Sequence, residues 1–301
     1  MTFAIFGPTG VGKTEIAIEV AEMLRARGER PVAVSADAIQ VYEGLDTLSA
    51  KPSPEQLERL EHRLVGYVPI DSEYSVAQYA AAAHAEIDDL LDEGATPIVV
   101  GGTGLYLRAA LMDLDLKPPP APGLREQLEE ELATLGAGAL HERLRPETAA
   151  AVHPRDRKRI VRALELETMG EEPYRTSDQL WSESLRRPVR LAGLTMDRSA
   201  LSERIGLRAR AMLDGPAVSE VESALEAGVS RTARKALGFR EIAAHLAGEI
   251  ETEETRRLLE RRHLSYVKRQ LTWMRKLAGV EVIDRTTLGA TEAAGAITAR
   301  H

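Results

Sequence analysis

A glycine-rich segment near the N-terminus constrains the fold of this chain more than any other feature. Residues Gly7 to Thr14 read GPTGVGKT and fit the pattern G-x-x-x-x-G-K-[ST]. The apolar run Thr2 to Phe6 precedes the segment, and apolar residues at helical spacing follow it between Ile16 and Leu24. This order predicts a strand, a P-loop and a helix, in which backbone N–H groups and the helix N-terminus hold a diphosphate.

Two side chains of the loop carry chemistry of their own. Lys13 can neutralise phosphate charge, and the Thr14 hydroxyl can ligate Mg²⁺. A P-loop does not say whether the diphosphate belongs to a nucleotide or to another molecule. The predicted diphosphate-binding residues are Gly7, Pro8, Thr9, Gly10, Val11, Gly12, Lys13 and Thr14.

The alternation of apolar runs and helical patterns continues beyond the loop. Strands are predicted at Val32 to Ser35, Ile98 to Val100, Val189 to Leu194 and Glu281 to Ile283, and a helix is predicted between Ser75 and Gly94. Strands separated by helices imply right-handed parallel crossovers. The predicted fold class is α/β, a P-loop NTPase-like parallel sheet core flanked by helices, with ligand loops at the strand C-terminal ends.

A change of pattern after Asp113 indicates a second domain. The stretch KPPPAPG at Lys117 to Gly123 breaks regular structure, and charged, helix-favouring sequence follows to about Arg187. We therefore predict a P-loop catalytic core at 1–112 and 188–301, with C-terminal helices, and a helical insertion domain at 113–187.

Composition excludes several classes of protein. With 44% hydrophobic and 29% charged residues the chain falls in the globular range. It contains no cysteine, which excludes disulfides and thiolate metal sites. The sequence shows neither an export signal nor an apolar segment of membrane-spanning length, so we expect a cytoplasmic protein with no membrane partner.

The local distribution of charge matters more than the net charge of −8. The run RDRKRIVR at Arg155 to Arg162 carries five basic residues and one acid, and Arg256 to Lys276 carries eight basic residues and one acid. Both segments suit contacts with nucleic-acid phosphates. A solvated, ion-paired helix face is the alternative interpretation of each.

Asp37 follows the second predicted strand and has two interpretations. At the end of a parallel strand its carboxylate can reach toward whatever the P-loop holds. An aspartate that only caps its own loop fits the same position. Sequence position alone leaves both open.

Three aromatic residues have a similar ambiguity. Tyr42, Tyr106 and Trp273 can line a pocket or stack on bases, but packing in the core is the favoured interpretation.

Five ordered blocks resemble the tRNA dimethylallyltransferase family over nearly the whole chain. They are the P-loop, SADAIQVYEGLDTLSAKP at Ser35 to Pro52, VVGGTGLYL at Val99 to Leu107, KRIVRALE at Lys158 to Glu165, and SYVKRQLTWMRK at Ser265 to Lys276. The resemblance implies that dimethylallyl diphosphate and Mg²⁺ serve to alkylate N6 of the adenine beside the anticodon, on the tRNA anticodon stem-loop. We expect a monomer.

The resemblance also implies roles for individual residues. Asp37 matches the general base, and Thr103 matches the residue that contacts the adenine region and the donor phosphates. Arg204 in SERIGLR matches an arginine that holds the diphosphate, with Arg208 as a competing candidate. Residues matching tRNA contacts are Asp37, Ala38, Ile39, Gln40, Thr103, Lys158, Arg159, Ile160, Val161 and Arg162.

The chain departs from the family pattern at two places. Ala38 stands where the family commonly has serine, and Leu48-Ser49 stand where it commonly reads Gly-Thr. Neither departure removes a proposed charged group, but each puts a local hydrogen bond in doubt.

Rival functions remain for the P-loop itself. In a small-molecule kinase Asp37 would activate an acceptor hydroxyl, but the strand Ile98 to Val100 ends in glycines where a metal-binding carboxylate would be sought. Prenyl transfer to free adenine nucleotides is a second rival. A regulatory nucleotide switch has little support, because no NKxD-type guanine motif occurs.

Overall fold

The helices and strands follow the order that the sequence predicts, in a computed structural model that describes residues 1–172 and 184–299. The strands are β1 Thr2–Phe6, β2 Pro31–Ser35, β3 His62–Arg63, β4 Thr96–Gly101, β5 Val189–Thr195 and β6 Glu281–Asp284. The α-helices are α1 Lys13–Arg25, α2 Asp46–Ser49, α3 Pro54–Arg59, α4 Val76–Asp92, α5 Gly104–Leu111, α6 Leu124–His141, α7 Pro146–Ala151, α8 Arg157–Thr168, α9 Arg198–Asp214, α10 Ala217–Glu226, α11 Phe239–Leu246, α12 Thr252–Met274 and α13 Ala290–Thr298.

The six strands form one parallel sheet in the order β3-β2-β4-β1-β5-β6. In the central pairings Ile5 aligns with Val100 of β4 and with Ala192 of β5. Helices flank this sheet, and the predicted α/β class is confirmed. The two-residue strand β3 was not predicted, because His62 and Arg63 show no apolar run.

Helix α4 shows how local sequence sets the helix boundaries. The Ser75 side chain accepts a hydrogen bond from the backbone N–H of Gln78, and the Gln78 side chain accepts one in return from the N–H of Ser75. Past the other end, Gly94 has a φ angle of 74°, which favours glycine. The predicted limits of this helix are therefore confirmed.

The apolar stripe of α1 packs into the main core. The buried stripe holds Ile16, Ala17, Ile18, Val20, Ala21 and Leu24. It lies in one apolar cluster with Ile5 of β1, Ile98 of β4 and Leu194 of β5. Burial of each isoleucine, valine or leucine side chain contributes about 1.5–3 kcal/mol. This packing fixes the start of α1 at the end of β1.

Three neighbouring strands place their following loops at one edge of the sheet. Because β2, β4 and β1 are adjacent and parallel, their carboxyl ends meet there. The loop after β1 is the P-loop, the loop after β2 carries Asp37, and the loop after β4 carries Gly102 and Thr103. Gly101 approaches the β2 loop so closely that an added Cβ would lie 2.1 Å from the Ala36 carbonyl oxygen.

The chain divides into two compact units, Met1–Asp113 with Glu183–His301, and Leu114–Ser182. The second unit contains α6, α7 and α8, which share an apolar core that includes Leu128, Leu140 and Leu164. Residues 173–183 of the predicted insertion lie outside the described residues. No helix in the described ranges is long and apolar enough to cross a membrane.

Candidate functional site

The P-loop has the backbone that phosphate binding requires. Gly10 and Gly12 have φ angles of 83° and 90°, a region in which other side chains are strained. Gly12 is the N-cap of α1 and supplies no side-chain capping bond, so the first N–H groups of the helix stay available to a ligand. The predicted strand, loop and helix are confirmed, and the loop offers an anion a helix N-terminus.

Lys13 lies half-buried in this loop. Its ammonium donates a hydrogen bond to the Pro8 carbonyl oxygen at 3.1 Å. Burial lowers the pKa of Lys13 to about 8, the nearby Asp37 carboxylate opposes that shift, and Arg208 adds to it. An anion placed beside Lys13 would favour the charged form of the lysine, so ligand binding and protonation of this side chain are coupled.

That coupling predicts how the affinity for inorganic diphosphate depends on pH. Below pH 8 Lys13 is mostly protonated in the free protein, so its contribution to the affinity for diphosphate does not change with pH. Above pH 8 the ligand must bind the minor, protonated form, and affinity should fall by up to about tenfold per pH unit. Calorimetric titrations between pH 6.5 and 9.5 would measure this. A Lys13→Met variant provides the baseline, because without the lysine the affinity changes with pH through titration of the diphosphate itself.

Asp37 has a geometry that is compatible with both interpretations of its sequence position. Its Oδ1 accepts hydrogen bonds from the backbone N–H groups of Ile39 at 2.9 Å and Gln40 at 3.4 Å, so it caps its own loop. The residue also lines the same cleft as the P-loop. The cap holds the carboxylate in one orientation, in which Oδ2 can serve a ligand.

Thr103 connects the loop after β4 to the loop after β2. Its Oγ1 accepts a hydrogen bond from the backbone N–H of Ala38 at 3.4 Å and lies 3.3 Å from the hydroxyl of Tyr266 on α12. The Ala38 contact uses only the backbone, so alanine in place of serine leaves it intact. Thr103 and Asp37 therefore face one cleft from two linked loops.

The structure distinguishes the two candidate arginines. Arg208 lines the cleft, donates to the Thr9 hydroxyl at 3.3 Å and donates to the Leu48 carbonyl at 3.2 Å. Burial lowers the pKa of Arg208, and the Asp37 charge opposes the shift. Arg204 is exposed and donates to the Gly10 carbonyl at 3.2 Å, outside the lining of the cleft. Of the two candidates, Arg208 thus lies in the lining of the cleft and Arg204 does not.

The region of the second departure is ordered by neighbouring elements. Glu220 of α10 accepts hydrogen bonds from the backbone N–H groups of Thr47 at 2.7 Å and Leu48 at 3.0 Å. The Ser49 hydroxyl donates to the Leu45 carbonyl at 2.6 Å. Leu48 and Ser49 both line the cleft, and the Leu48 carbonyl holds Arg208. The departure from Gly-Thr thus leaves the arginine in place.

The cleft encloses about 500 Å³, within the range of about 300–1,000 Å³ that is usual for small-molecule sites. From the P-loop it is lined by Thr9, Gly10, Gly12, Lys13 and Thr14. Val11 is fully buried in the core, and Gly7 packs against Leu194. These two residues therefore support the loop on its core side and do not line the cleft.

Several residues of the cleft were not predicted from the sequence. They are Gln56, His62, Lys235, Leu237, Tyr266 and Gln270, and they lie beside Arg269 of the predicted basic segment. Arg269 lies 5.4 Å from the centre of the Tyr266 ring, a cation–π contact. The basic composition of α12 indicated Arg269, but only the folded chain shows which face of that helix meets the cleft.

Helix α8 meets only part of the expectation for a tRNA contact. Lys158 and Arg159 are exposed, as a phosphate contact requires. Ile160 and Val161 are buried at 0% and 5% exposure in the core of the helical unit, so their side chains face away from a partner, and a tRNA contact at these two positions stays a prediction. The helical period turns these two apolar residues inward.

Arg162 of the same helix is already paired. It donates to Glu165 at 2.9 Å and to the Lys117 and Pro118 carbonyls at 3.2 and 2.5 Å. Burial opposes ionisation of Glu165, but hydrogen bonds from Arg125 and Arg162 outweigh it and lower its pKa. Arg162 therefore belongs to a structural ion-pair network.

Two of the three aromatic candidates pack in the core. Tyr42 is 1% exposed and its hydroxyl lies 2.5 Å from that of Thr232. Tyr106 is 8% exposed, with its ring centre 4.3 Å from that of Tyr79. Core packing is thus confirmed for both. The Trp273 ring fills the space beside Gly104, where an added Cβ would lie 2.4 Å from it.

A parallel sheet, a glycine-rich loop with a half-buried lysine, and a carboxylate in the same cleft define an α/β protein of the P-loop class. Residues 40–277 match the family described as IPP transferase. The chain belongs to this family.

Two relatives show the extent of the similarity. Over 298 residues the chain is 38% identical to the tRNA dimethylallyltransferase of Acetivibrio thermocellus, which covers 96% of this chain and 93% of that protein. Over 276 residues it is 41% identical to the enzyme of the same name from Exiguobacterium sp., covering 90% of this chain and 86% of that protein.

One solved structure agrees with this assignment, and a second shares the fold. The tRNA isopentenylpyrophosphate transferase of Bacillus halodurans superposes with a TM-score of 0.70 at 31% identity, covering 98% of this chain and 93% of that one. A eukaryotic dimethylallyltransferase described as acting on tRNA superposes with a TM-score of 0.75 at 22% identity, covering 95% of this chain and 74% of that one. The second likeness shows the fold alone.

Proposed function

We propose that this protein transfers a dimethylallyl group from dimethylallyl diphosphate to N6 of the adenine next to the tRNA anticodon. The products are N6-isopentenyladenosine in tRNA and diphosphate. Family membership and the names of the relatives support this function. The observation that carries it is that the P-loop and Asp37 line one cleft of about 500 Å³, which suits a diphosphate beside a nucleobase.

The cleft suits the leaving group of this reaction. The allylic C–O bond breaks, and its electron pair passes to the diphosphate oxygen. The P-loop N–H groups, Lys13 and Arg208 lie where they can stabilise that charge. Lys13 and Arg208 are both half-buried in the same cleft, and this partial burial reduces the screening of their charges by water.

Asp37 is suited to act as the general base for the nucleophile, the N6 amine of adenine. The N6 lone pair of adenine forms the new N–C bond, and one N6 proton passes to the Asp37 carboxylate. An exocyclic amine is a weak nucleophile, so proton removal as the bond forms is worth roughly 10² to 10⁴ in rate. Thr103 is placed to orient the acceptor, because its hydroxyl lies between the Ala38 N–H and the Tyr266 hydroxyl.

The residues of the cleft also fit Mg²⁺. The described residues contain no cluster of three acidic or histidine side chains that would cage a metal. Mg²⁺ bound through substrate phosphates needs only one or two protein oxygens, and Thr14 and Asp37 both line the cleft. We propose Thr14 as its protein ligand. When bound, Mg²⁺ would neutralise charge that develops on the diphosphate.

The adenine must leave the stacked anticodon loop to reach this cleft. Unstacking one base costs a few kcal/mol, which contacts to phosphate and pocket offset. In the helical unit, the exposed Lys158 and Arg159 are suited to phosphate contacts. Near Asp37, the Gln40 amide spans from the Ser35 hydroxyl at 2.9 Å to the Ala50 carbonyl at 2.8 Å, so it shapes the acceptor side of the cleft.

The roles of the two arginines can be separated by substitution. Arg208→Met should raise the KM for dimethylallyl diphosphate by roughly 10- to 100-fold, because it removes a half-buried charge in the lining of the cleft. Arg204→Met should change it by less than about threefold, because Arg204 is exposed and lies outside the cleft lining. Steady-state kinetics on both variants would measure this. A larger effect at Arg204 would reverse the assignment.

The function itself is tested by incubating tRNA with the protein, dimethylallyl diphosphate and Mg²⁺. Nucleosides from the digested tRNA are then analysed by mass spectrometry. We expect an adenosine heavier by one dimethylallyl group in the anticodon loop. Free AMP and ADP as acceptors, and ATP hydrolysis, test the two rivals. Absence of modified tRNA with a modified free nucleotide would overturn the tRNA assignment.

A further inference from the structure

Gln270 of α12 joins two loops of the cleft, yet no step of the proposed reaction uses it. The side chain is 3% exposed. Its Oε1 accepts a hydrogen bond from the backbone N–H of Thr9 at 2.9 Å, and its Nε2 donates to the Gly102 carbonyl at 2.8 Å. One amide therefore satisfies two backbone groups that are 93 positions apart in sequence, counted from Thr9 to Gly102.

The two loops belong to different halves of the site. Thr9 lies in the P-loop, which faces the donor diphosphate under the proposed function. Gly102 precedes Thr103, whose Oγ1 is bonded to the N–H of Ala38 beside Asp37. The Gln270 amide is thus a direct link between the donor side and the acceptor side.

The atoms around this link are closely packed. A Cβ added to Gly102 would lie 2.4 Å from Gln270 Nε2, 3.2 Å from the Gly7 carbonyl oxygen and 3.3 Å from Lys13 Nζ. One helical turn before Gln270, the Tyr266 hydroxyl donates to the same Gly102 carbonyl at 3.3 Å. Because Gly102 is held from two positions of α12, its loop has little freedom to shift relative to the P-loop.

The hydrogen bond from the Thr9 N–H to Gln270 also shows which acceptor this backbone donor uses. The Thr9 N–H points to Gln270, so this group serves the protein frame and not a phosphate oxygen. Such a bond holds the first part of the loop in place without a ligand, and the remaining N–H groups are then set for binding.

We propose that Gln270 is a positioning residue that sets the separation between the donor loop and the Asp37–Thr103 loops. This inference rests on the proposed function. Attack of N6 on the allylic carbon requires the reacting atoms within about 3–3.5 Å, and an error of about 1 Å can cost 10²-fold. Loss of the link should therefore slow the chemical step more than it weakens binding of either substrate.

The test is a Gln270→Met variant of the full chain, assayed for prenyl transfer to tRNA. Methionine keeps the length of the side chain and removes both hydrogen bonds. We expect kcat to fall roughly 10- to 100-fold, while KM for dimethylallyl diphosphate and for tRNA change by less than about threefold. A folded variant with kcat within about twofold of the wild type overturns the proposal. A rise in donor KM at unchanged kcat also overturns it, because the residue would then act on binding.

Two further variants separate positioning from folding. Gln270→Asn keeps the amide but is too short to reach both loops, so it should show the same split between kcat and KM even if the methionine variant is unstable. Thr255→Val is the matched control, because Thr255 is a fully buried polar residue of α12 whose hydroxyl donates to the Glu251 carbonyl of its own helix at 2.9 Å and which does not line the cleft. It should lower the melting temperature without lowering kcat. If the wild type itself forms no prenylated tRNA, the proposed function fails instead.

Discussion

Replacement of Asp37 by asparagine should lower kcat for prenyl transfer by roughly 10² to 10⁴-fold. The reason is specific to the carboxylate. The amide oxygen of asparagine can still accept the backbone N–H groups of Ile39 and Gln40, so the loop keeps its shape. The amide cannot accept the proton that N6 loses. The substitution therefore removes general-base catalysis and leaves the structure of the loop unchanged. Single-turnover assays with saturating donor and tRNA would measure it.

The control for Asp37 is an aspartate in the same local structure. Asp284 ends β6, and its Oδ1 accepts the backbone N–H of Thr286 at 2.9 Å, outside the cleft. Asp284→Asn should leave turnover unchanged. Affinity of the Asp37→Asn variant for tRNA should stay within a few-fold of the wild type. Turnover near the wild-type level in that variant would remove Asp37 from the mechanism.

Replacement of Lys13 by methionine should reduce kcat/KM for the donor by roughly 10² to 10³-fold, as for loss of one group that stabilises developing charge. Lys13 faces the diphosphate in both the ground state and the transition state, so donor affinity and turnover should fall together. Affinity from calorimetry with dimethylallyl diphosphate, and kinetics with tRNA, would separate the two.

The matched substitution for Lys13 is Lys117→Met in the helical unit. Lys117 lies 3.0 Å from the Asp115 carboxylate and does not line the cleft. We expect no change in donor affinity there. Unchanged donor affinity in the Lys13→Met variant would contradict a phosphate role for the loop.

Local motifs made much of the fold and part of the site predictable. The P-loop needs glycine at the positions where φ is positive, and its sequence has glycine there. The flanking segments β1 and α1 show the hydrophobic patterns of a strand and a helix, so the P-loop can be recognised from local sequence. Asp37 and Thr103 follow strands directly, and parallel pairing brings the strand ends together. Such inferences need only neighbours in sequence.

The rest of the site depends on contacts between distant segments. Gln270 meets Thr9 across 261 positions. The period of α12 shows that Tyr266 and Gln270 lie on one face, since they are four residues apart, but not which loops that face meets. The choice between Arg208 and Arg204 likewise depends on how α9 packs beside the P-loop. Packing of this kind is a property of the whole chain.

The burial of Ile160 and Val161 has a different basis. A helix can present only some of its residues to a partner, so a contiguous block such as KRIVRALE does not offer every side chain to a contact surface. Both residues are apolar and pack in the same core as Leu164. A helical-period analysis of KRIVRALE alone would have separated the inward residues from Lys158 and Arg159.

The link between α12 and the P-loop determines when a growing polypeptide acquires a working cleft. During synthesis the P-loop leaves the ribosome first, while the Gln270 amide that holds Thr9 is made 261 residues later. The strand β5, which pairs with β1, is also made well after it. Contacts of such long sequence separation form slowly. An N-terminal fragment with an intact phosphate motif is therefore expected to bind no donor until the last quarter of the chain has been translated.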